Sequence, residues 1–278
     1  MRYSDLNLES IAGLARCNLG KDHMSYLRFA HRSLRSITKW AVSCAICVAA
    51  AFPCFADVSY TPKSGNTAPR ITIFGQIKQD DLKSFIAFSR FARQDGLYQV
   101  RLDSLGGDVD TALSIGRIVR ADKAAVAVLG DGRCLSSCVF VLAGGAIRYV
   151  AGPVGIHRPF APVDNRVTAS AQKQNYERLE KEIKAYLQAM NIPADLYDHM
   201  IRIPPEKVKV LNKDELQRYG LSEDDPYEDA ARVAAVAKST GITAEELIRR
   251  QAKANSECSS ARSEENARCY TRILKEGR

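Results

Sequence analysis

The chain has 278 residues and is 46% hydrophobic, enough to bury the core of one or two domains. Lys and Arg outnumber Asp and Glu by 40 to 32, yet residues 1–56 alone hold seven cations against three acids, half of the net charge of +8. The remainder carries no clustered basic stripe and few aromatics beside its charges, which argues against a nucleic-acid partner.

In chain order, the leader comes first. Arg28, Arg32, Arg35 and Lys39 precede an apolar run from Trp40, which ends in Pro53-Cys54-Phe55-Ala56. A basic region, an apolar stretch and small residues at −3 and −1 predict a secretory signal peptide over 1–56, cleaved after Ala56. Met24 is read as the true start, because the polar residues before it add nothing to the signal; a long basic region is the alternative. An uncleaved membrane anchor over 40–56 is the other reading, although 17 residues lie at the short end of a spanning helix. The expected location is therefore exported and periplasmic, with membrane contact only through an uncleaved leader.

Residues 57–69, with Pro, Gly, Ser and Asn, read as a flexible lead-in. Ile71–Ile77 reads as a strand, and apolar spacings of three and four over Gln79–Gly96 predict a helix. Val100–Leu105 is a second strand candidate that ends in Gly106-Gly107; Asp108 then caps a helix over Val109–Arg120. Ala124–Leu129 and Ala146–Val150 read as short strands on either side of the apolar run Cys138–Ala143. Alternation of strand and helix argues for a largely parallel α/β core. Downstream, Val167–Met190 is a long helix, Asn212 with Glu215 forms a capping box, and Thr243 with Glu246 opens what reads as the last helix. The domain reading is thus 70–222 for the core and 223–278 for a helical C-terminal extension.

Export gives the cysteines a meaning. Cys134, Cys138, Cys258 and Cys269 remain after the leader, an even number in a compartment where disulfides persist. Three pairings are open; the nearest-neighbour one, 134 with 138 and 258 with 269, is preferred, and no His/Cys spacing supports a zinc site. Of four histidines only His157 and His199 lie beyond the leader, and His199 reads as structural. Ser136 stands at a loop-to-helix junction, where the amide of Ser137 lacks an intrahelical partner. Gly106-Gly107 stands at a strand end where backbone can approach a ligand. A nucleophile, a base and backbone donors are what acyl transfer by serine requires.

Ser104-Leu105-Gly106-Gly107-Asp108-Val109, Ser136 before Phe140–Ala146, and Gly155-Ile156-His157-Arg158-Pro159 together resemble the proteolytic subunit of Clp protease. The likeness runs over about 70–222 and is closer to exported, Clp-like periplasmic proteins with a Cys-x-Ser-x-Cys around the nucleophile. It implies a crotonase/Clp-like fold of ββα units, Ser136 as nucleophile, His157 as base, and the Gly107 and Ser137 amides as oxyanion hole. It implies no metal or cofactor, a peptide or unfolded-protein substrate, and a homo-oligomer. The expected activity is ATP-independent peptide hydrolysis. The acid that orients histidine in that family falls at Val208 here, which leaves Glu206 and Asp198 as possible third members. Ser137 is a rival nucleophile. Two other functions stay open: a catalytically inactive binding or scaffold protein that has lost the aspartate, and an acyl-thioester enzyme on the same fold, which export disfavours.

Overall fold

A computed structural model describes residues 57–65, 67–160, 168–258 and 263–277. The signal peptide, the start at Met24 and the anchor reading of 40–56 lie outside the described residues. Strand β1 (Asp57–Thr61) runs antiparallel to β2 (Arg70–Ile77). This corrects the reading of 57–69 as a flexible lead-in. Val58 and Tyr60 alternate onto the core, and Tyr60 stacks on Phe88 with ring centroids 5.8 Å apart, so apolar contacts outweigh the turn-rich composition. Ile71, Ile73 and Ile77 of β2 are buried under helix α1 (Asp81–Gln94), which presents Phe85 and Ala92 to them.

Strand β3 (Gln99–Gly107) lies parallel to β2, with a register shift between Gly75 and Gln76. At β3 the sheet divides. Its first residues, Gln99 to Arg101, pair in parallel with β4 (Ala125–Val128), which in turn pairs with β6 (Ile147–Val150). Its far half pairs at Ser104 with β5 (Cys134–Leu135); the branch continues through β7 (Val154–Ile156) to the antiparallel β8 (Lys209–Val210). One branch is thus core, and the other carries the residues singled out for chemistry. Helix α2 (Val109–Ala121) begins where expected, with the Thr111 amide donating to the Asp108 carboxylate at 2.8 Å. Helix α3 (Cys138–Gly144) is buried along its whole length.

Three helices follow the sheet branches: α4 (Ala169–Ala189), α5 (Asp195–Met200) and α6 (Lys213–Arg218). The Asn212/Glu215 capping box of α6 is formed from both sides. The extension consists of α7 (Pro226–Thr240), α8 (Ala244–Cys258) and α9 (Ser263–Glu276). The Glu246 amide donates to Thr243 at the start of α8, but α8 is followed by another helix, so that box does not open the last one. Two small apolar clusters pack these helices together, around Val233 and Leu247 and around Ala254 and Ile273. The Cys258–Cys269 disulfide joins α8 to α9. The observed architecture is the expected α/β fold with a helical C-terminal extension. No helix among the described residues is long and apolar enough to cross a membrane.

The extension is tied to the core by charge. Asp225, with no exposed surface, meets Arg120 at 2.8 Å and Arg148 at 3.6 Å, and accepts from the Asn191 amide group at 2.9 Å. Both arginines also donate to the Ala143 carbonyl near the end of α3, where cations oppose the negative end of the helix. Burial works to raise the Asp225 carboxyl, but the bonds from Asn191, the Glu228 amide and Arg120 outweigh it and hold the group below the usual carboxylate range. Burial and the neighbouring Arg120 lower Arg148 to about 10.

Removing one partner of such a pair leaves buried charge uncompensated. Asp225→Ala should therefore destabilise the protein by about 3–5 kcal/mol in denaturant unfolding. Because folding lowers the Asp225 pKa, its contribution is complete above about pH 4 and is lost as the pH falls through the folded value. Asp225→Asn should accordingly show a flatter acid limb than the unaltered protein; parallel limbs would reject this assignment.

Candidate active site

The site is assembled at the ends of two neighbouring parallel strands. Leu135 of β5 lies opposite Gly155 of β7, and the Ser136 amide donates to the Gly155 carbonyl at 2.8 Å. Ser136 and His157 therefore leave adjacent strands on the same edge. Ser136 has φ 56°, a left-handed conformation uncommon for a residue with a side chain. Such strain is tolerated only where the surroundings over-determine it. Here the surroundings are the strand pairing before Ser136, the helix after it, and the Cys134–Cys138 disulfide across it. That bridge and Cys258–Cys269 are the preferred nearest-neighbour pairing.

The glycine pair is enclosed by backbone. A carbon added to Gly107 would sit 2.1 Å from the Ile77 carbonyl oxygen. One added to Gly106 would sit 2.6 Å from both the Leu135 oxygen and Ser136 Cβ, and 2.9 Å from the Ser137 nitrogen. Their φ values, 85° and 150°, are of the kind glycine adopts without strain. Ser104, fully buried and not singled out by sequence, braces this turn: its hydroxyl donates to the Gly75 carbonyl at 2.6 Å and accepts from the Gly106 amide at 3.1 Å. Its signal in the sequence is a small hydroxyl residue two positions before Gly-Gly, at the head of the motif that ends in Asp108-Val109. The Asp108 amide adds a bond to the Ile77 carbonyl at 2.9 Å.

His157 is 7% exposed. Its Nδ1 lies 2.9 Å from the Arg158 carbonyl oxygen. A carbonyl can only accept, so Nδ1 carries the proton and Nε2 of the neutral ring keeps its lone pair. Among the described residues no hydrogen bond joins Ser136 to His157. Nor does either possible third member bond to the ring. Glu206 is exposed on the segment before β8, and Asp198 is exposed on α5 beside a cavity of about 260 Å³ with His199, Arg202 and Tyr219. His199 bonds to the Tyr219 hydroxyl at 2.8 Å, in keeping with its structural reading. The antiparallel pairing of β7 and β8 ends with Ile156 opposite Lys209, one residue before His157.

Ser137 departs from a simple helix cap. Its side chain makes no capping bond to α3; instead its hydroxyl accepts from the Gly107 amide at 2.7 Å, and the residue is 2% exposed. Ser136 is the more accessible of the two serines. Beside the nucleophile loop lies a groove of about 400 Å³ lined by Leu135, Pro153, Val208 and Val210, with Asp131 and Arg133 at its rim. Among the described residues no group of three or more His, Cys, Asp or Glu side chains is gathered as a metal site would need.

No family model and no curated protein matches the chain. Among solved structures it is similar to a mutant of the membrane-bound stomatin-specific protease 1510-N, with 20% identity and a TM-score of 0.43, over 55% of this chain and 75% of that one. It is also similar to a mutant of ClpP1 from Listeria monocytogenes, with 16% identity and a TM-score of 0.45, over 55% of this chain and 88% of that one. What those proteins do is theirs. The α/β fold class with its helical extension rests on the sheet and helices described above.

The enclosure of Gly107 can be tested directly. Gly107→Ala forces a carbon into the Ile77 carbonyl and should cost roughly 2 kcal/mol or more in thermal unfolding. Gly130→Ala, where an added carbon meets nothing within 4 Å, should stay within about 0.5 kcal/mol. Equal stabilities for the two variants would contradict the close approach.

Proposed function

We propose that this protein is an exported serine hydrolase that cleaves peptide bonds without ATP, with Ser136 as nucleophile and His157 as general base. The observation that carries the reading is the strained Ser136, at the C-terminal edge of β5 beside the end of the strand that supplies a histidine with a free Nε2. Peptide as substrate and a homo-oligomeric state come from the sequence resemblance to the Clp proteolytic subunit. Export comes from the leader. The apolar groove beside Leu135 suits a hydrophobic side chain of an unfolded segment.

In this mechanism Ser136 Oγ attacks the scissile carbonyl carbon while its proton passes to His157 Nε2. The oxyanion is held by the amides of Ser137 and Gly107. Collapse breaks the C–N bond, and His157 returns the proton to the leaving amine. Water then attacks the acyl-Ser136 ester with His157 as base, releasing a carboxylic acid and restoring the serine. The Arg158 carbonyl does the orienting that a carboxylate does in a triad, without its negative charge beside the imidazolium. A dyad of this kind works with some loss of rate. The Ser136–His157 bond forms on substrate binding, as catalytic hydrogen bonds often tighten only in the complex.

A second reading has specific support: the occupied Gly107 amide, and a His157 ring that bonds to a carbonyl and to no carboxylate among the described residues, fit a binding or scaffold protein that has lost activity. Labelling of the oxidised full chain with a fluorophosphonate, followed by peptide mass mapping, separates the two. The expected adduct is on Ser136, absent in Ser136→Ala and slowed at least about a hundredfold in His157→Ala. An adduct on Ser137 would reassign the nucleophile. No adduct on folded protein would leave the binding reading.

A further inference from the structure

The contact between Ser137 and Gly107 serves neither of the usual roles of a serine at a helix start. Ser137 has φ −61° and ψ −18°, already helical, and its hydroxyl turns away from the amides of α3, which such a side chain ordinarily caps. It reaches across to the other loop and takes the Gly107 N–H at 2.7 Å. Nor is that bond needed to hold the glycine turn. Gly107 is fixed by its approach to Ile77, the Gly106 amide by Ser104, and the Asp108 amide by the Ile77 carbonyl. These three constraints set the direction of the Gly107 N–H before Ser137 contributes anything. What remains for the hydroxyl is to fill a donor that would otherwise face the site unsatisfied.

We propose that the Ser137 hydroxyl is an internal occupant of the oxyanion hole, a latch that a substrate's carbonyl oxygen must displace from the Gly107 amide before acylation. The proposal rests on the serine-hydrolase reading and adds a resting state to it. At rest one of the two amides, that of Ser137, is open, because first-turn amides have no intrahelical partner. The other is closed by a neutral acceptor on the same residue. A neutral oxygen arriving in the ground state gains little by exchanging one such bond for another. A developing oxyanion gains more, since charged acceptors bond more strongly than neutral ones. Opening the latch costs the same whichever oxygen enters, so a neutral carbonyl barely recovers that cost whereas the oxyanion recovers it with a margin, and rotation about a single side-chain bond opens it.

Ser137→Ala removes the hydroxyl and no other atom. A net hydrogen bond of ordinary strength corresponds to a three- to tenfold change. Fluorophosphonate modification of Ser136 in the full chain should accordingly run about three to ten times faster in Ser137→Ala than in the unaltered protein. Amide hydrogen exchange read at Gly107 provides the second measurement: protection present in the unaltered protein should fall in the variant, while that of Gly106, held by Ser104, should not. Labelling of Ser136 at an equal or lower rate in the variant would overturn the latch, and a lower rate would mean that the hydroxyl donates to the oxyanion instead. Unchanged exchange at Gly107 would overturn it too, since the contact would then be absent in solution. No labelling of Ser136 in either protein removes the hydrolase reading, and the latch with it. Labelling of both without acceleration removes the latch alone.

Discussion

Two glycines in succession permit the backbone of one loop to lie against the backbone of two others. Gly107 rests on the Ile77 carbonyl, and Gly106 rests on Leu135 and Ser136, with no room for a single carbon at either position. This approach decides the rest of the site. It brings the end of β3 to the loop that carries the serine, so that an amide from one element and a hydroxyl from another come within hydrogen-bond reach. The division of the sheet at β3 serves the same end, since only its far half pairs with β5. A side chain at Gly106 would part the loops, and the strands could still pair while the site came apart.

Around that approach, polar groups are used sparingly and for position. Ser104 supplies one donor and one acceptor, both to backbone. The Arg158 carbonyl fixes the histidine tautomer without a charge. Formal charge is placed at the other end of α3, where Arg120 and Arg148 meet the Ala143 carbonyl and are balanced by Asp225. At the front of that helix the Val139 and Phe140 amides turn back to the Ser136 and Ser137 carbonyls, while its back is neutralised. The arrangement keeps the positive end of the helix facing the site.

The legibility of all this in the sequence followed the length of each pattern. β2, α1, β3 and α2 could be read because eight or more residues repeat a spacing, and because Asp108 sits where a cap belongs. The pairs β5 and β8 could not, since two residues carry no period and their pairing is made across long stretches of chain. β1 was masked by turn-forming neighbours whose preference tertiary contact overrode. At the site, Ser136, His157 and the glycines were visible as residue types in order. The direction of the Ser137 hydroxyl was not, because an N-cap serine and one reaching across to another loop have the same sequence. Asp225 was not singled out in the sequence: it caps the helix that Pro226 opens, accepting from the amides of Tyr227 and Glu228, and nothing local marks its second partners, Arg120 and Arg148.

That double duty of Asp225 bears on how such a protein can diversify. A boundary drawn after residue 222 looks natural, since the tail beyond it is Ala/Glu/Arg-rich and reads as an appendage. Yet the first cap of that tail is also the counter-ion of the core. A gene that lost the tail whole would keep two buried guanidinium groups and no carboxylate between them. Shortening is tolerable only beyond α7, and any exchange of tails between related chains must bring its own acid at this position. The extension can drift in length and composition at its far end, but at its root it is inherited with the core as one piece.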